Sequence, residues 1–319
     1  MTGTVTVDIA GGQMGGAARY AGELRAYLAR NQRHDVNVIG SGRRVGQAWL
    51  LRREMSGALA SRRVAVNNVS FIGPGGERWT LLRNALHFLT EEEESRLHPS
   101  LSAINRRKSM IVRLTARRAD VLVAPCSAMA DRIARTLPGL RSRIVVRPHP
   151  VSAHTIGPAP LDDIILCPVI FESYKRMTEH ISEFLTAVDR HVDPAVRLHV
   201  TAEPRELPAS LAAHPRMKLV GRLHHNELCS LWARSRAIFF PPGLESFGYP
   251  LAEARVNGKP IISQDTEQNH EIGGAALCAF TAGDHRSLLE ATLLALAIEV
   301  EPDPDPFDPD SYFSWLLDQ

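Results

Sequence analysis

Short apolar runs alternate with longer segments of helical periodicity along the whole chain. After the first run, Leu24 and Leu28 repeat at helical spacing, which predicts an amphipathic helix over residues 17–30. Strands that alternate with helices are typical of βαβ units, so the pattern predicts an α/β protein with parallel sheets. The runs that we interpret as strands in the first half are VTVDIA, HDVNVI, VAVNNVSFI, LLRNALHFL, DVLVAP and RIVVRP.

A proline-rich segment without periodicity, residues 147–160, interrupts this alternation near the middle of the chain. The alternation then restarts with the strand-like runs DIILCP, RLHVTA, MKLVGRL, AIFF and PIISQD. We therefore predict two α/β domains, residues 1–150 and 151–319, joined by a linker. The second domain ends in an acidic, proline-rich tether and a short helix, in which Phe313, Leu316 and Leu317 share a face suited to docking.

Composition excludes several classes of protein. The 319 residues are 44% apolar, enough to bury two cores, and no apolar run approaches the ~18–20 residues that span a bilayer. The first residues lack a basic segment followed by an apolar one, so we expect no secretory signal. The four cysteines are far apart and show no CxxC spacing, which argues against zinc or a disulfide framework and favours a cytoplasmic location.

The net charge of +2 conceals an asymmetry between the two halves. Residues 1–150 contain 24 Lys and Arg against 11 Asp and Glu, and the remaining residues contain 13 against 24. Either the halves attract each other, or the basic half meets an anionic partner such as a membrane surface or a phosphorylated acceptor.

Met110, Ile111 and Leu114 repeat at helical spacing among basic residues. We favour packing of this face on the core, and the alternative is a peripheral contact with a membrane.

The strongest chemical signal is the string PPGLESFGYPLAEARVNGKPIIS, residues 241–263. A strand leads into a glycine-containing loop, and Pro250 suits the first turn of a following helix. Ligands of open α/β sheets bind beyond the carboxyl ends of the strands, where N–H groups of such a loop suit a diphosphate. Glu245 and Glu253 can face that crevice and accept hydrogen bonds from sugar hydroxyls. For one glutamate alone, a solvated or capping role is simpler, but the whole string favours a ligand site.

This string resembles the signature of retaining glycosyltransferases with the GT-B fold, of the family 4 type. The signature has two glutamates separated by seven residues, with FG-x-P between them and G-x-P after them. The segments MKLVGRLHHNELCSLWARSRAIFFPP, HEIGGAALCAF and RADVLVAPCSAMADRIA also resemble segments of the family, so the resemblance extends over most of the chain. It implies two Rossmann-like parallel-sheet domains that face a central cleft, with the acceptor mainly on the first domain and the nucleotide-sugar on the second.

The resemblance also implies roles for individual residues. Glu253 would hold the ribose hydroxyls of the nucleotide, and Glu245 would contact the transferred sugar and stabilise positive charge at its anomeric carbon. The implied catalytic residues are Glu245, Lys175 and His87. The candidate donor-binding residues are Gly15, Gly16, Lys175, Arg176, Glu245, Ser246, Phe247, Gly248, Tyr249, Pro250, Leu251 and Glu253, and the resemblance implies that main-chain N–H groups contribute from Phe247 to Leu251.

A second constellation is the glycine loop GGQMGG, residues 11–16, between a strand and a helix. Glycine permits positive φ and a close approach of backbone to ligand. The spacing is not G-x-G-x-x-G, and the second strand is followed by no acidic residue, which disfavours a dinucleotide-binding dehydrogenase. The loop resembles the glycine loop of the family's first domain, which implies that Gly15 and Gly16 face the donor. A tight turn without a ligand is the alternative.

A third constellation is CPVIFESYKRM, residues 167–177, again between a strand and a helix. Lys175 is a point charge that can neutralise a departing phosphate, and a solvated lysine is the alternative. The family usually has Gly-Arg, four residues and then lysine, whereas Val169 and Ile170 occupy the Gly-Arg positions here. If an arginine and Lys175 together bind the donor phosphates, the arginine must come from another position. We consider Arg176 or an arginine of the first domain for this role.

His87 lies in the predicted strand LLRNALHFL of the first domain. A histidine near the end of that strand can hydrogen-bond the donor sugar or the acceptor, as a first-domain histidine does in similar enzymes. A buried histidine with satisfied hydrogen bonds is at least as good an interpretation.

The resemblance implies a retaining glycosyltransferase, and we expect it to move a hexosyl or related group from a UDP-, GDP- or dTDP-sugar to an acceptor hydroxyl, in glycan or glycoside biosynthesis. A DxD-type carboxylate pair is missing from the candidate donor loops, and P-loop, HExxH and GxSxG motifs are absent. We therefore expect metal-independent donor binding, no cofactor and no nucleic acid partner. The acceptor stays open between a small molecule, a glycan and a lipid-linked molecule. Two alternatives remain, a catalytically weak GT-B partner protein, suggested by Ile170, and another GT-B enzyme such as a nucleotide-sugar epimerase.

Overall fold

The computed structural model describes residues 4–12, 15–56, 58–97, 103–153 and 160–318. The chain forms two compact units. The first consists of Met1–Val151, Glu245–Phe247 and Phe307–Gln319, and the second consists of Ser152–Leu244 and Gly248–Pro306. The division expected from the sequence placed the segments 245–247 and 307–319 in the second domain, whereas they pack in the first unit.

The first unit is built around a six-stranded sheet in which every pair of neighbouring strands is parallel. Its strands are β1 (Val5–Asp8), β2 (Val36–Ile39), β3 (Arg62–Ala65), β4 (Glu77–Leu81), β5 (Val121–Ala124) and β6 (Ile144–Val146), in the order β2-β1-β3-β4-β5-β6. Its helices are α1 (Gly15–Asn31), α2 (Gln47–Ser56), α3 (Glu91–Leu97), α4 (Ala103–Ala116), α5 (Ser127–Thr136) and a terminal helix (Pro309–Leu317). The central strands β1 and β5 are buried on both faces, which explains why most of their residues are apolar.

The terminal helix packs on α1 of the first unit. Tyr20, Leu24 and Tyr27 lie on the buried face of α1, where their spacing keeps them on one side of the helix. The ring of Phe313 lies 5.6 Å from that of Tyr20 and 5.2 Å from that of Tyr27, between ring centroids. Leu316 is also fully buried, so the apolar face of this helix completes the core of the first unit.

The predicted strand over residues 81–89 is wrong. Strand β4 ends at Leu81, and Ala85–Phe88 form a 3-10 turn instead of a strand. The Asn84 side chain accepts a hydrogen bond from the Leu86 N–H, so it caps this turn. Most apolar residues of the run are buried, although the backbone of residues 85–88 forms a turn and not a strand.

The predicted strand over residues 64–72 is shorter than expected. Strand β3 ends at Ala65. Beyond it, Asn68 adopts a positive φ of 67°, a conformation that asparagine tolerates better than most residues and that ends the extended backbone.

The proline-rich segment 147–160 is only partly a linker. His149 and Val151 are each 1% exposed, and the Val151 N–H donates to the Phe307 carbonyl of the same unit. The start of the segment is therefore part of the first core, because its backbone is paired and its side chains are buried. Residues 154–159 lie outside the described part of the chain.

The second unit contains another six-stranded parallel sheet. Its strands are β7 (Asp162–Cys167), β8 (Arg197–Val200), β9 (Met217–Leu219), β10 (Ser235–Phe239), β11 (Ile261–Gln264) and β12 (Leu277–Phe280), in the order β12-β11-β10-β7-β8-β9. Its helices are α6 (Met177–Val188), α7 (Ala209–Ala212), α8 (His225–Arg234), α9 (Tyr249–Val256), α10 (Glu267–Gly273) and α11 (His285–Ala297). The two parallel sheets confirm the predicted α/β class.

Each sheet has one point at which the order of strands reverses. In the first unit this point lies between β1 and β3, and in the second it lies between β10 and β7. The connections on either side of such a point leave the sheet in opposite directions, which opens a crevice at the carboxyl ends of the two strands. The chain segments that follow β1, β3, β7 and β10 are therefore the places to look for ligand-binding residues.

Candidate functional site

The 241–263 string enters helix α9 through a glycine that no other residue could replace without strain. Gly248 has φ 79° and ψ 68° and caps the helix. The positive φ requires glycine, and a Cβ at this position would also lie 2.7 Å from Cδ1 of Leu251, so that side chain would have to shift. The Leu251 N–H donates to the Gly248 carbonyl at 2.9 Å, which closes the first turn. That N–H is thus occupied within the helix, contrary to its expected role toward a ligand.

Helix α9 places Glu253 at the edge of the second core. Tyr249 is its first residue and Pro250 its second, a position where proline costs no helical hydrogen bond. Ala252 and Ala254 are fully buried, whereas Glu253 between them is half-buried. The helix therefore buries the two alanines, and the glutamate between them stays partly exposed.

The residues just before this helix are held by the first unit. The Ser246 hydroxyl donates to the Arg83 carbonyl at 2.7 Å, and the Cys126 thiol donates to the Ser246 carbonyl at 3.3 Å. Arg83 follows β4 and Cys126 follows β5, so both anchors lie at the carboxyl edge of the first sheet. Glu245 directly precedes Ser246 on this anchored segment, and it is half-buried.

Phe247 completes this anchor by packing into an aromatic cluster of the first unit. It is 2% exposed, and its ring lies 5.1 Å from the ring of His149 and 6.0 Å from that of Phe307, between centroids. Burial, with the neighbouring Arg83 guanidinium, holds the pKa of His149 well below its usual value. The imidazole is therefore neutral near pH 7 and packs as an aromatic ring.

The segment after β7 is fixed by side chains of its own unit. The Val169 N–H donates to the Thr201 hydroxyl at 2.8 Å, and Val169 is 7% exposed within the second core. Arg222 donates through Nη1 to the carbonyls of Val169 at 2.8 Å and Thr201 at 2.9 Å. The sequence alone gave no signal for this brace, because Arg222 lies 53 residues beyond Val169.

Lys175 and Arg176 end the segment that follows β7. Lys175 is half-buried, with its Nζ 5.8 Å from the ring centroid of Tyr174. Arg176 adopts the left-handed conformation, with φ 49°, directly before α6. Its guanidinium is exposed and lies 3.5 Å from the Glu179 carboxylate, a pair that contributes little to stability. Strands β7 and β10 are neighbours, so the Lys175 segment and the 241–263 string leave adjacent strands at the same edge of the second sheet.

The glycine loop after β1 is ordered at both ends. Gly11 has φ 82°, and its N–H donates to the Arg43 carbonyl at 2.8 Å. Helix α1 begins at Gly15, which has φ 56°, and Gly16 follows in its first turn. Gln13 and Met14 lie outside the described residues.

A buried polar cluster that sequence analysis missed lies beside this loop, at the strand reversal of the first sheet. The Asp8 carboxylate is fully buried and accepts hydrogen bonds from Arg53 at 2.8 Å, Asn67 at 2.8 Å and Trp49 at 3.2 Å. It also accepts from the Ala10 N–H at 3.0 Å. An aspartate in the otherwise apolar run VTVDIA was the available signal, but its partners come from α2 and from the segment after β3.

His87 lies in the 3-10 turn after β4 and is buried. Its Nδ1 is 3.0 Å from the Ser109 hydroxyl, and Arg113 donates to its carbonyl at 2.6 Å. Burial, with Arg113 and Lys108 nearby, lowers the pKa of His87 to about 4. These contacts favour the structural alternative, because the imidazole is neutral and bonded within its own unit.

Within the described residues, no group of three or more His, Cys, Asp or Glu side chains is arranged to hold a metal ion. The four cysteines are buried free thiols. In the part of the chain that the structure describes, none of the helices has the length and apolar character needed to cross a membrane.

Comparison with known proteins identifies the fold. Neither the known family models nor the curated protein sequences include a match to this chain. Among solved structures, WaaG, a glycosyltransferase involved in lipopolysaccharide biosynthesis, is similar with a TM-score of 0.68 and 14% identity over 97% of this chain and 94% of WaaG.

Two further structures agree. Sucrose-phosphate synthase from Thermosynechococcus elongatus has a TM-score of 0.67 and 13% identity, over 99% of this chain and 95% of that one. AviGT4, a glycosyltransferase involved in avilamycin A biosynthesis, has a TM-score of 0.64 and 14% identity, over 98% of this chain and 96% of that one. At these identities the likeness shows the fold, and this chain has the GT-B fold that the sequence predicted.

Proposed function

We propose that this chain is a glycosyltransferase that moves a sugar from a nucleotide-sugar donor to an acceptor hydroxyl. The observation that carries the proposal is the placement of the 241–263 string and the Lys175 segment. Both follow neighbouring strands at the reversal point of the second sheet, where open α/β sheets bind ligands. Structural neighbours named as glycosyltransferases support the same activity.

In this proposal the donor is a UDP-, GDP- or dTDP-sugar bound mainly by the second unit. Glu253 accepts hydrogen bonds from the ribose hydroxyls, and Lys175 neutralises phosphate charge. The N-terminal end of α9 adds a favourable dipole toward the diphosphate. Glu245, in the same 241–263 string as Glu253, contacts the transferred sugar.

We propose transfer with retention of anomeric configuration. The bond between the anomeric carbon and the phosphate oxygen breaks, and the acceptor oxygen forms its bond on the same face of the sugar. The acceptor proton passes to the departing β-phosphate, which serves as the base. Lys175 stabilises the negative charge that develops on that phosphate, a type of electrostatic stabilisation that usually provides a large share of catalysis. Metal-independent donor binding belongs to the same proposal.

Titration calorimetry with UDP, GDP and dTDP tests the donor site. We expect one of these nucleotides to bind, and Glu253→Gln to weaken its binding about 10- to 100-fold, because hydrogen bonds to charged groups contribute about 1.5–3 kcal/mol. Glu245→Gln should reduce turnover more than binding. Glu290→Gln, on the exposed surface of α11, is the matched control. Unchanged affinity in Glu253→Gln would count against the proposal, and so would loss of binding in EDTA for its metal-independent part.

Two other GT-B functions predict different results in the same assays. A catalytically weak partner protein would bind donor without turning it over on any acceptor, and the buried Val169 and uncharged Ile170 are the observation that favours it. A nucleotide-sugar epimerase would convert the donor without an acceptor. Incubation of the donor with and without an acceptor panel separates the three.

We also propose that the first unit contacts an anionic membrane through the outer face of α4. Contrary to the interpretation that we favoured from the sequence, Met110, Ile111 and Leu114 are 64%, 40% and 61% exposed. The buried face of the helix is formed by Val112 and Ala116 instead. Exposed basic residues of the same segment are Arg106, Arg107, Lys108, Arg117 and Arg118. A helix with apolar and basic residues on its outer face suits the interface of a bilayer that contains acidic lipids.

Helix α2 also carries exposed apolar residues. Its Arg53 donates to the Val69 carbonyl, and Thr115 of α4 accepts from the Ser70 N–H, so both helices are bonded to the same short segment. Right-handed crossovers also place these two helices on one side of the sheet. Leu51 and Met55 of α2 are 71% and 76% exposed, so this helix also presents apolar side chains to solvent.

Sedimentation with phospholipid vesicles tests this contact. The protein should pellet with vesicles that contain phosphatidylglycerol and not with pure phosphatidylcholine, and Met110→Gln with Leu114→Gln should weaken pelleting. The matched control replaces Leu293 and Leu294, which are 44% and 49% exposed on α11 of the second unit. Equal pelleting of both double variants would refute the proposal. The four cysteines are free thiols, and we propose that α4 contacts an anionic membrane. For these two reasons we propose a cytoplasmic location at the inner membrane face.

A further inference from the structure

The guanidinium of Arg222 links the ends of neighbouring strands at the carboxyl edge of the second sheet. Arg222 follows β9, and its Nη1 donates to the carbonyls of Val169 at 2.8 Å and Thr201 at 2.9 Å. Val169 follows β7 and Thr201 follows β8, and these three strands are consecutive in the sheet. One nitrogen atom therefore ties together two chain segments that leave different strands.

Arg222 is itself held at both ends of its side chain. Its backbone N–H donates to the Glu203 carboxylate at 3.3 Å, and its Nη2 forms an ion pair with the Glu206 carboxylate. The Glu206 side chain also accepts from the Glu203 N–H at 2.8 Å, so these three residues support one another. The Arg222 side chain is 44% exposed, so its replacement removes these contacts without opening a cavity in the core.

The segment that Arg222 holds leads to Lys175. Both backbone groups of Val169 are bonded, since its N–H donates to the Thr201 hydroxyl at 2.8 Å and its carbonyl accepts from Arg222. Residues 168–172 form neither helix nor strand, so the path of their backbone depends on contacts of this kind. Lys175 is the first basic residue after β7, which makes its place the place of the positive charge on this segment.

We propose that Arg222 is a positioning residue for binding of the donor diphosphate. It fixes the segment that carries Lys175 and does not itself touch the phosphate, because Nη1 is used by two carbonyls and Nη2 faces the negative charge of Glu206. The inference rests on the proposed function, in which Lys175 neutralises phosphate charge. It adds the residue that determines where this charge lies, and a misplacement of about 1 Å can cost about 100-fold in rate.

A double-mutant cycle tests this role by titration calorimetry with UDP, GDP and dTDP. Lys175→Met should weaken binding of the preferred diphosphate about 10- to 100-fold, and Arg222→Met should weaken it about 10-fold. Because Arg222 acts through Lys175, adding Arg222→Met to Lys175→Met should change the affinity by less than about twofold. A purely structural role would lower the melting temperature without this coupling.

Two further variants complete the comparison. Arg222→Lys keeps a charged donor for the carbonyls but loses the fork of the guanidinium, so it should retain part of the affinity. Arg286→Met, on the exposed surface of α11 in the same unit, is the matched control for loss of a positive charge and should bind like wild type.

The outcomes separate this inference from the proposed function. If wild type binds none of the three diphosphates, the donor proposal fails and this inference fails with it. If wild type binds, the role of Arg222 is refuted, while the donor site stands, by an unchanged affinity in Arg222→Met or in Lys175→Met. An equal loss from Arg222→Met in both backgrounds also refutes it, because Arg222 then acts independently of Lys175. Should Arg222→Met fail to fold, as seen in its melting curve, Arg222→Lys takes its place in the cycle under the same criteria.

Discussion

The buried cluster around Asp8 predicts a large loss of stability in Arg53→Met. Arg53 is 1% exposed and Asp8 is fully buried, with 2.8 Å between Nη1 and the carboxylate. The other terminal nitrogen of Arg53 donates to the carbonyls of Val69 at 2.8 Å and Ser70 at 2.6 Å. Methionine fills much of the same space, but it removes the positive charge and all these donors.

The expected cost follows from what the substitution leaves behind. Asp8 keeps only neutral donors from Asn67, Trp49 and the backbone, so a negative charge stays buried without a positive partner. Removing one partner of a buried ion pair costs about 3–5 kcal/mol. For a unit of this size each kcal/mol lowers the melting temperature by about 2–4 °C, so we expect a decrease of about 10 °C.

Urea unfolding followed by tryptophan fluorescence measures this loss, because Trp49 lies in the cluster. The matched control is Arg286→Met, which breaks a surface pair whose side chains are 87% and 63% exposed and should leave the midpoint unchanged. Adding Asp8→Leu to Arg53→Met should restore part of the stability, because it removes the unpaired charge. A loss below about 1 kcal/mol in Arg53→Met would refute the reasoning.

Two further predictions concern single positions. Gly248→Ala should cost about 1–2 kcal/mol in urea unfolding from its positive φ alone, and more from the contact with Leu251, whereas Gly139→Ala, at an open position without positive φ, should cost less. An equal cost at both positions would contradict the assigned geometry. His87 has a pKa of about 4 in the folded protein against 6.5 in an unfolded chain. Between these two pH values the unfolded chain therefore binds a proton at His87 that the folded protein does not bind. The stability that its neutral form contributes, about 3 kcal/mol, is present above pH 6.5 and is lost as the pH falls toward 4. His87→Gln should flatten that decrease, and identical pH profiles of stability would show that His87 does not titrate in this way.

The local parts of the site were predictable from the sequence because short-range chemistry determines them. Apolar runs that alternate with helical segments predicted the two parallel sheets, since strands buried on both faces are mostly apolar. The glycine and proline of the 241–263 string predicted the capped start of α9, since glycine suits a left-handed cap and proline suits the first turn of a helix. The sequence also showed that Val169 and Ile170 occupy the positions where the family usually has Gly-Arg. Val169 lies in the core of the second unit, which explains why an apolar residue lies there.

Other features depend on which elements the topology makes neighbours. Periodicity showed that Met110, Ile111 and Leu114 share a face, but only the packing of α4 on its opposite side decided that the face is exposed. The run 81–89 is as apolar as a strand, yet the cap formed by Asn84 turned it into a 3-10 turn.

Long-range pairs were beyond the sequence for the same physical reason. Asp8 meets Arg53 across 45 residues, and Ser246 meets Arg83 across 163, because separate strands end at one edge of a sheet. Residue types and local spacing determine strands, turns and caps. Only the tertiary structure brings distant side chains within hydrogen-bond distance, and it alone showed that Arg83 lies beside the 241–263 string.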